Sequence, residues 1–224
     1  MASIRFNILK NILKDKNSKN NKVCDTERGL FDFTSLLSNL VSLIQQLSEE
    51  ELAFITISLQ NWITRKNNTK YYDKQGNNEV KVGEIFFADL GIGYKPEIAY
   101  THPVIILEKI KGYVLVVPTT TSKKTLDRAY HPIDNPDGDK RYRKIKSGEG
   151  TERDCAVILT NIMTISQGRL IERKGTLDNI KDENSIFNEL KMKAFYFCFP
   201  KQYKIYNDML LKEEWCNNTP NDIY

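Results

Sequence analysis

Residues 103–117, with the sequence PVIILEKIKGYVLVV, decide the fold. Apolar runs rich in β-branched residues stand on both sides of Lys111-Gly112, and this pattern predicts two antiparallel strands joined by a tight turn. Similar runs at 82–90 and 155–159 predict two further strands. Short strands at such intervals favour a small antiparallel β-barrel over a parallel sheet.

A helical period precedes these strands. Apolar residues recur at helical spacing over 36–47 and again over 52–63. Between them, Ser48-Glu49-Glu50-Glu51 has the pattern of a capping box, in which the serine accepts from the N3 amide and the last glutamate reaches back. The pattern predicts a helical hairpin over roughly 32–66. A shorter amphipathic helix is predicted before it, within residues 1–28.

The C-terminal part of the chain is also predicted to be helical. Thr176–Glu183 is rich in residues typical of a helix N-terminus, and apolar residues follow at helical spacing up to Phe197. Pro200 either ends this helix or opens another. A polar segment with turn formers, 67–79, separates the helical hairpin from the strands. We therefore predict an α+β fold with an N-terminal helical extension at 1–70, a β-barrel domain at 80–199 and a C-terminal helix or tail at 200–224.

The composition is that of a mildly basic globular protein. The 224 residues carry a formal charge of +4, which permits an acidic or nucleic-acid partner without requiring one. We find no apolar run long enough for a membrane span and no secretory signal at the N-terminus, so the cytoplasm is the expected location. The four cysteines are widely spaced without a CxxC pair, which predicts reduced thiols, most of them in the core, and no structural zinc site.

Familiar catalytic motifs are absent from the sequence, which has no P-loop, GxGxxG, HExxH or GxSxG pattern. One unusual feature is His102, which follows a glycine-rich loop and is held in an extended conformation by Pro103. A histidine titrates near neutral pH and is suited to acid–base catalysis. The alternative is a histidine that only ends a strand.

A second feature is the hydroxyl cluster at residues 119–122, which is followed by two lysines. Hydroxyl groups can position phosphate oxygens, and ammonium groups can neutralise their charge. Threonine is also a favoured strand residue and lysine a common turn residue, so an ordinary strand end is equally consistent with the pattern.

The third feature is an excess of positive charge over residues 119–147, where eight Lys and Arg stand against four Asp. Tyr130, His131 and Tyr142 lie among these charges. Basic residues mixed with aromatic ones suit single-stranded nucleic acid, because cations follow the phosphates and rings stack on bases. A solvated loop would have a similar composition.

Together, these segments resemble the PemK/MazF family of toxin–antitoxin ribonucleases. The opening strand of the family is matched by VGEIFFADL, its "RP" strand by HPVIIL, its "P-x-T" segment by VVPTTTSK, and its last two motifs by DCAVILTNIMTI and Arg169-Leu170. Glu97 falls where the family's glycine-rich loop carries a glutamate. The resemblance covers residues 80–176 and leaves the predicted N-terminal helices and the C-terminal helix or tail outside.

The resemblance implies an SH3-like β-barrel, a homodimer and a cognate antitoxin. It also implies cleavage of single-stranded RNA without metal or cofactor, in which the 2′-OH attacks the adjacent phosphorus to form a 2′,3′-cyclic phosphate. The family's catalytic threonine corresponds to Thr120, with Thr121 adjacent. Its catalytic arginine corresponds to His102, and its second basic residue to Met163.

Our hypothesis from the sequence is that His102, Thr120 and Thr121 are catalytic, with His102 as acid or base. A lysine such as Lys123 would then supply the positive charge, and His131 is a weaker candidate for a second proton carrier. The residues predicted to bind RNA are Glu97, Thr119, Ser122, Lys123, Lys124, His131, Lys140, Arg141 and Arg143. Because the arginine is replaced, two alternatives stay open: a CcdB-like toxin that binds a topoisomerase without cleaving anything, or a non-catalytic RNA-binding module.

Overall fold

The computed structural model describes residues 4–73, 75–94 and 96–218, with only the backbone described for 211–218. The first three and last six residues of the predicted terminal segments lie outside this described part. The chain divides into two compact units, Met1–Thr56 and Ile57–Tyr224. The division falls inside one long helix, so the second half of that helix belongs to the same unit as the sheet.

The first unit is helical. Its helices are α1 (Phe6–Lys14), α2 (Val23–Thr26), α3 (Leu30–Ile44) and the first half of α4 (Glu49–Arg65). The predicted capping box is present, since the Glu51 amide donates to Ser48 Oγ at 3.2 Å and the Ser48 amide donates to Glu51 Oε2 at 3.2 Å. Asp32 is buried in α3 and accepts from the Arg5 guanidinium, which holds the pKa of this carboxyl below its usual value. The predicted N-terminal helices are therefore present.

The second unit contains an eight-stranded sheet and three more helices. The strands are β1 (Glu84–Asp89), β2 (Thr101–Ile110), β3 (Tyr113–Thr120), β4 (Ala129–Tyr130), β5 (Asp139–Ile145), β6 (Cys155–Ile158), β7 (Met163–Ser166) and β8 (Leu170–Thr176). The helices are α5 (Lys123–Arg128), α6 (Ile186–Cys198) and α7 (Pro200–Asn218). The predicted hairpin is β2–β3, and Gly112 in its turn has a φ of 75°, which glycine adopts at little cost.

The sheet is mostly antiparallel and is not closed. The strand order is β4-β5-β6-β3-β2-β1-β8, with β7 paired to the first half of β3. The α+β class is thus confirmed, and helices both precede and follow the strands along the chain. The two ends of this order, β4 and β8, are not paired with each other in the described part of the chain, so a closed barrel is not established.

Each face of the sheet buries its own hydrophobic core. Ile85, Ile105 and Val117 point to one face, where α6 contributes Phe187 and Leu190. The alternate residues of the same strands point to the other face, where they pack with two residues from the segment after α4. This second core consists of Tyr71, Val80, Phe86, Ala88, Val104, Ile106, Val114, Val116, Ile165 and Leu170. The period of two along each strand therefore determines which side chains share a face.

Several local predictions differ from the structure. The helix expected to start within Thr176–Glu183 starts later, because β8 extends to Thr176 and Ser185 caps α6 by accepting from the Asn188 amide. Pro200 opens α7 rather than only ending α6. Cys155 is buried, and burial raises the pKa of its thiol to about 11, but Cys24 and Cys198 are exposed and do not fill the core.

Among the described helices, none combines the length and apolarity needed to cross a bilayer.

Candidate functional site

The candidate site is a set of residues on neighbouring strands at one end of the sheet, which we call the row. It contains Ala88, His102, Thr120 and Ala156. On one side, β1 pairs Ala88 with His102. On the other side, β3 pairs Thr120 with Ala156 of β6. The last pair of β2 and β3 is Val104 with Pro118, and continuing this register by two residues would bring His102 opposite Thr120. Directly opposite residues of antiparallel strands share a face, with Cβ atoms about 5 Å apart.

The face of this row is the one that carries the second core. His102 has the same parity as Val104 and Ile106 on β2, and Thr120 has the same parity as Val116 on β3. The neighbours of the pair on the adjoining strands, Ala88 and Ala156, are small and fully buried. On this register the imidazole and the hydroxyl would share a face, and the neighbour of each on the adjoining strand is an alanine.

His102 is half-buried, and its environment favours the neutral ring. Its Nδ1 atom is buried and makes no hydrogen bond of normal geometry. Burial lowers the pKa of His102 because it removes water from the imidazolium, and the nearby backbone carbonyls of Ala99 and Tyr100 oppose this only in part. A neutral imidazole at neutral pH is able to accept a proton.

The backbone just before His102 is strained. Tyr100 has a φ of 66°, a left-handed conformation that is costly for a bulky residue. It is held there by two backbone hydrogen bonds with the opposite side of the loop, from the Tyr100 amide to Gly91 O at 2.6 Å and from the Leu90 amide to Tyr100 O at 2.8 Å. Strain of this kind persists only where surrounding structure holds it, and it is common near functional sites.

The hydroxyl cluster is divided between the two faces. Thr119 is buried on the α6 side of the sheet, where its hydroxyl donates to Pro103 O at 3.4 Å. Thr120 points to the face of His102, and its Oγ1 accepts from the Ser122 amide at 3.2 Å. Thr121, Ser122, Lys123 and Lys124 follow at the surface. Of the four hydroxyls, Thr120 is therefore the one that the strand register places beside the histidine.

Most of the other predicted RNA-binding residues lie away from this row. Glu97 is exposed in its own loop, where it accepts from the Tyr94 amide at 3.0 Å. His131 is buried, and its Nδ1 accepts from the Asp134 amide at 3.0 Å. Burial of His131 leaves its ring little surface for contact with RNA, whereas RNA binding by exposed Glu97 stays a prediction.

The three basic residues selected on β5 are also separate from the row. Lys140 lies in a groove beside α6, together with Met192 and Tyr196. Arg141 is held by Asp139, with its Nη2 donating to Oδ2 at 2.7 Å. The third, Arg143, is buried under α6 and is not carried into the proposal below.

Arg143 has a structural partner instead. Its Nε donates to both carboxylate oxygens of Glu189, at 3.0 and 2.8 Å, and its Nη1 donates to Lys144 O. We expect Glu189→Gln to destabilise the fold by about 3 kcal/mol, because the guanidinium would remain buried without its counter-charge. Denaturant unfolding measures this change. The matched control is Glu108→Gln, which removes an exposed ion pair with Lys191 and should cost less than about 1 kcal/mol. Equal effects of the two substitutions would contradict the structural role of Arg143.

One basic residue that sequence reasoning did not select does lie in the row. Lys144 pairs with Ala156 across β5 and β6, so it shares the face of Thr120 and lies two strands away, about 10 Å between backbones. Its Nζ is 3.5 Å from Asp154. The signal that could have identified it is the period of two in β5, in which buried Arg143 and Ile145 alternate with Lys144.

The described residues contain no group of three or more His, Cys, Asp or Glu side chains arranged to hold a metal ion. The groups that the row itself offers are an imidazole, a hydroxyl and lysine side chains. Proton transfer and stabilisation of a negatively charged oxygen are within the capacity of these groups.

Comparison with known proteins shows which family this part of the chain resembles. Residues 81–183 match the family of PemK-like, MazF-like toxins of type II toxin–antitoxin systems. Residues 81–183 are thus similar to this family, and we refer to them as the PemK/MazF-like domain. The match spans just under half of the chain and contains the whole row from Ala88 to Lys144, but it leaves α4 and α6 outside. No curated protein is similar enough to the chain to count as a match. A type II toxin acts with an antitoxin, so the PemK/MazF-like domain implies a cognate antitoxin as a partner.

Proposed function

We propose that the PemK/MazF-like domain is an endoribonuclease that cleaves single-stranded RNA without a metal ion. The observation that supports the proposal is the pairing of Val104 with Pro118, because the same register, continued by two residues, would bring His102 opposite Thr120 on one face of the sheet. A neutral imidazole beside a hydroxyl, with lysines close by in sequence and on the next strands, suits the cleavage of a phosphodiester at neutral pH.

In this mechanism, His102 removes the proton of the ribose 2′-OH. The 2′-oxygen forms a bond to phosphorus, the bond from phosphorus to the 5′-oxygen breaks, and the imidazolium of His102 returns a proton to the leaving oxygen. Thr120 donates a hydrogen bond to a non-bridging oxygen while negative charge accumulates there, and Lys123 and Lys144 supply positive charge. The products are a 2′,3′-cyclic phosphate and a 5′-hydroxyl.

The test of the function is cleavage of a defined single-stranded RNA by the full chain in the presence of EDTA. We expect fragments that end in 2′,3′-cyclic phosphate and begin with a 5′-hydroxyl. RNA that stays intact with every sequence tested would contradict the proposal. Sequencing of 5′ ends after brief induction in a bacterial host would identify the cleavage motif.

The replacement of the family's arginine by His102 favours one alternative, a CcdB-like toxin that binds its target without cleaving RNA. An arginine is a permanent counter-charge, whereas a histidine with a lowered pKa is neutral at physiological pH. Loss of gyrase activity with intact RNA would support this alternative. Measuring RNA cleavage and gyrase activity with the same protein therefore distinguishes the two functions.

The assembly proposed with this function is that of the family: a closed SH3-like barrel, a homodimer in the cytoplasm and inhibition by a cognate antitoxin. The open order of the described strands leaves the edges β4 and β8 free for further pairing. Light scattering of the purified chain measures the dimer, and a monomer at micromolar concentration would contradict it.

Lys123 and Lys124 are expected to contribute most to RNA binding. Both are exposed immediately after the hydroxyl cluster, and neither belongs to an ion pair within the described residues. The double change to glutamine should lower the slope of log affinity against log salt by about 1 to 1.5, because two phosphate contacts on a single strand are lost. The measurement uses RNA with 2′-O-methyl groups, which cannot be cleaved.

The matched control for this slope is the double change of Lys140 and Arg141 to glutamine. It removes the same charge from the same basic segment, residues 119–147. In this case, however, Lys140 lies beside α6 and Arg141 is held by Asp139. If the slope falls equally in both double variants, RNA affinity depends only on the net charge of the protein and not on Lys123 and Lys124 in particular.

A further inference from the structure

A cavity of about 410 Å³ lies beside the candidate site, in the unit that contains the sheet. The second half of α4 forms one wall, and the residues after β1 and before β8 form the other. Asp89 in this lining directly follows Ala88, which pairs with His102. Strands are spaced about 4.8 Å apart, so the cavity begins within roughly 5–10 Å of the histidine backbone. Its volume is in the range of small-molecule sites.

The cavity is built by specific contacts between α4 and the strands. Ser58 of α4 is buried and donates to Asp89 Oδ1 at 2.9 Å. Arg65 at the end of α4 donates from Nη1 to Leu170 O at 3.0 Å. A side chain at position 168 would collide with the backbone carbonyl of Asn68, so Gly168 permits the close approach that closes this side. These contacts fix the second half of α4 and the segment after it against the strands around the cavity.

The lining is suited to an anion. Arg65, Lys66 and Arg169 contribute three positive charges to it, and Asp89 is the one carboxylate among its lining residues. The Oδ1 atom of that carboxylate already accepts from Ser58 and from the Gly91 amide at 2.9 Å. The charge that remains for a ligand is therefore positive.

The same lining is suited to a nucleobase. Trp62 lies in it with 59% of its surface exposed, which is unusual for an indole without a binding role. Lys66 lies over the ring at 5.1 Å, so one ligand could contact both the aromatic ring and a cation. Asn61 contributes an Nδ2 atom that is buried and has no hydrogen-bond partner. A buried donor without a partner is costly, and a base carbonyl or ring nitrogen would satisfy it.

We propose that this cavity is a nucleotide subsite, which binds one nucleotide of single-stranded RNA next to the cleaved phosphate. The base stacks on Trp62 and accepts from Asn61, while a phosphate lies against Arg65 and Arg169. The inference rests on the proposed ribonuclease function for its RNA substrate. It assigns to α4, which lies outside the family match, a direct part in substrate binding.

The first experiment measures nucleotide binding without cleavage. The chain has two tryptophans, so Trp215→Phe leaves Trp62 as the only fluorophore of this kind. Titration with each of the four ribonucleoside 5′-monophosphates should quench the Trp62 emission and reach saturation for at least one base. Inorganic phosphate at the same concentrations should not. Equal quenching by phosphate alone would overturn the nucleotide assignment.

The second experiment uses short 2′-O-methyl RNA and the cleavable RNA in parallel. Trp62→Ala should weaken binding about tenfold and raise KM with little change in kcat, because stacking is lost but the row is intact. Trp62→Phe should retain most of the binding. The control is Ile63→Ala, the next residue on α4, which is equally exposed at 59% and does not line the cavity.

The outcomes distinguish a failure of the proposed subsite from a failure of the proposed ribonuclease function. If the wild-type chain cleaves RNA but Trp62→Ala binds and cleaves like Ile63→Ala, the subsite is wrong and the function stands. If nucleotides quench Trp62 but no RNA is cleaved, the subsite stands and the function is wrong.

Discussion

Replacing His102 with alanine is expected to lower the rate of RNA cleavage by about a hundredfold or more. The expected loss is the usual contribution of a group that transfers a proton in the transition state. Single-turnover cleavage at saturating enzyme measures it. The fold should be little affected, because the ring is only half-buried and its Nδ1 makes no hydrogen bond of normal geometry.

The informative second variant is His102→Arg, which restores the residue that the resemblance assigns to this position. We expect it to cleave RNA, because a guanidinium can stabilise the phosphorane, but to lose the pH dependence due to the imidazole. If His102→Ala cleaves at the wild-type rate, the residue has no part in the mechanism.

The pH profile of the wild-type chain follows from the lowered pKa of His102. As the base, the ring must be neutral, so kcat/KM should be constant near neutral pH and fall when the pH drops through a pKa below the ordinary value of about 6.5. Stability should change in the same direction. The unfolded chain binds a proton at about pH 6.5 and the folded chain at a lower pH, so the free energy of unfolding decreases as the pH falls below about 6.5. If kcat/KM already fell with decreasing pH above pH 6.5, the lowered pKa of His102 would be contradicted.

The strands that could be predicted from the sequence are those with apolar runs. β1, β2 and β3 carry residues of both cores and β6 carries residues of the first, so apolar residues dominate these strands and the pattern is strong. The β2–β3 hairpin followed from the short turn at Lys111-Gly112, but continuing the register of the turn would bring His102 opposite Thr121. An irregularity between Ile106 and Glu108 shifts the register by one residue towards Thr120. The hairpin is therefore local in sequence, but its final register is not.

β5 could not be predicted in the same way. Its sequence, DKRYRKI, contains five charged residues and has the composition of a solvated loop. Its register depends on β6, and the burial of Arg143 depends on Glu189, which lies 46 residues away in α6. Pairings of this kind are tertiary, so residue type alone placed Arg143 on the surface and did not single out Lys144.

The cavity beside α4 was missed for a similar reason. The composition changes at 67–79, and a boundary there puts Trp62 and Arg65 with the N-terminal helices. In the structure, the division lies between Thr56 and Ile57, and the second half of α4 packs on the sheet through Ser58 and Arg65. A helix that is continuous in sequence pattern carries no sign of such a division.

The pair Thr119 and Thr120 provides the sharpest test of the face on which the chemistry takes place. We expect Thr120→Val to lower cleavage about a hundredfold or more, because the variant keeps the shape of the side chain but loses the hydroxyl that donates to the phosphorane oxygen. Thr119→Val removes a hydroxyl of the same kind from the next residue of the same strand, but that hydroxyl points to the α6 side and donates to Pro103 O. It should cost about 1 kcal/mol of stability or less and leave cleavage close to the wild-type rate.

The two variants share strand, neighbours and substitution, so a difference between them isolates the direction of the side chain. Single-turnover rates and denaturant unfolding on both proteins provide the comparison. If Thr119→Val loses cleavage and Thr120→Val keeps it, the reacting phosphate lies on the other face of β3, and His102 on the face of Thr120 could not act on it. Equal losses in both would mean that the strand end is needed for structure rather than for its chemistry. The expected asymmetry arises because opposite residues of antiparallel strands share a face and consecutive residues do not.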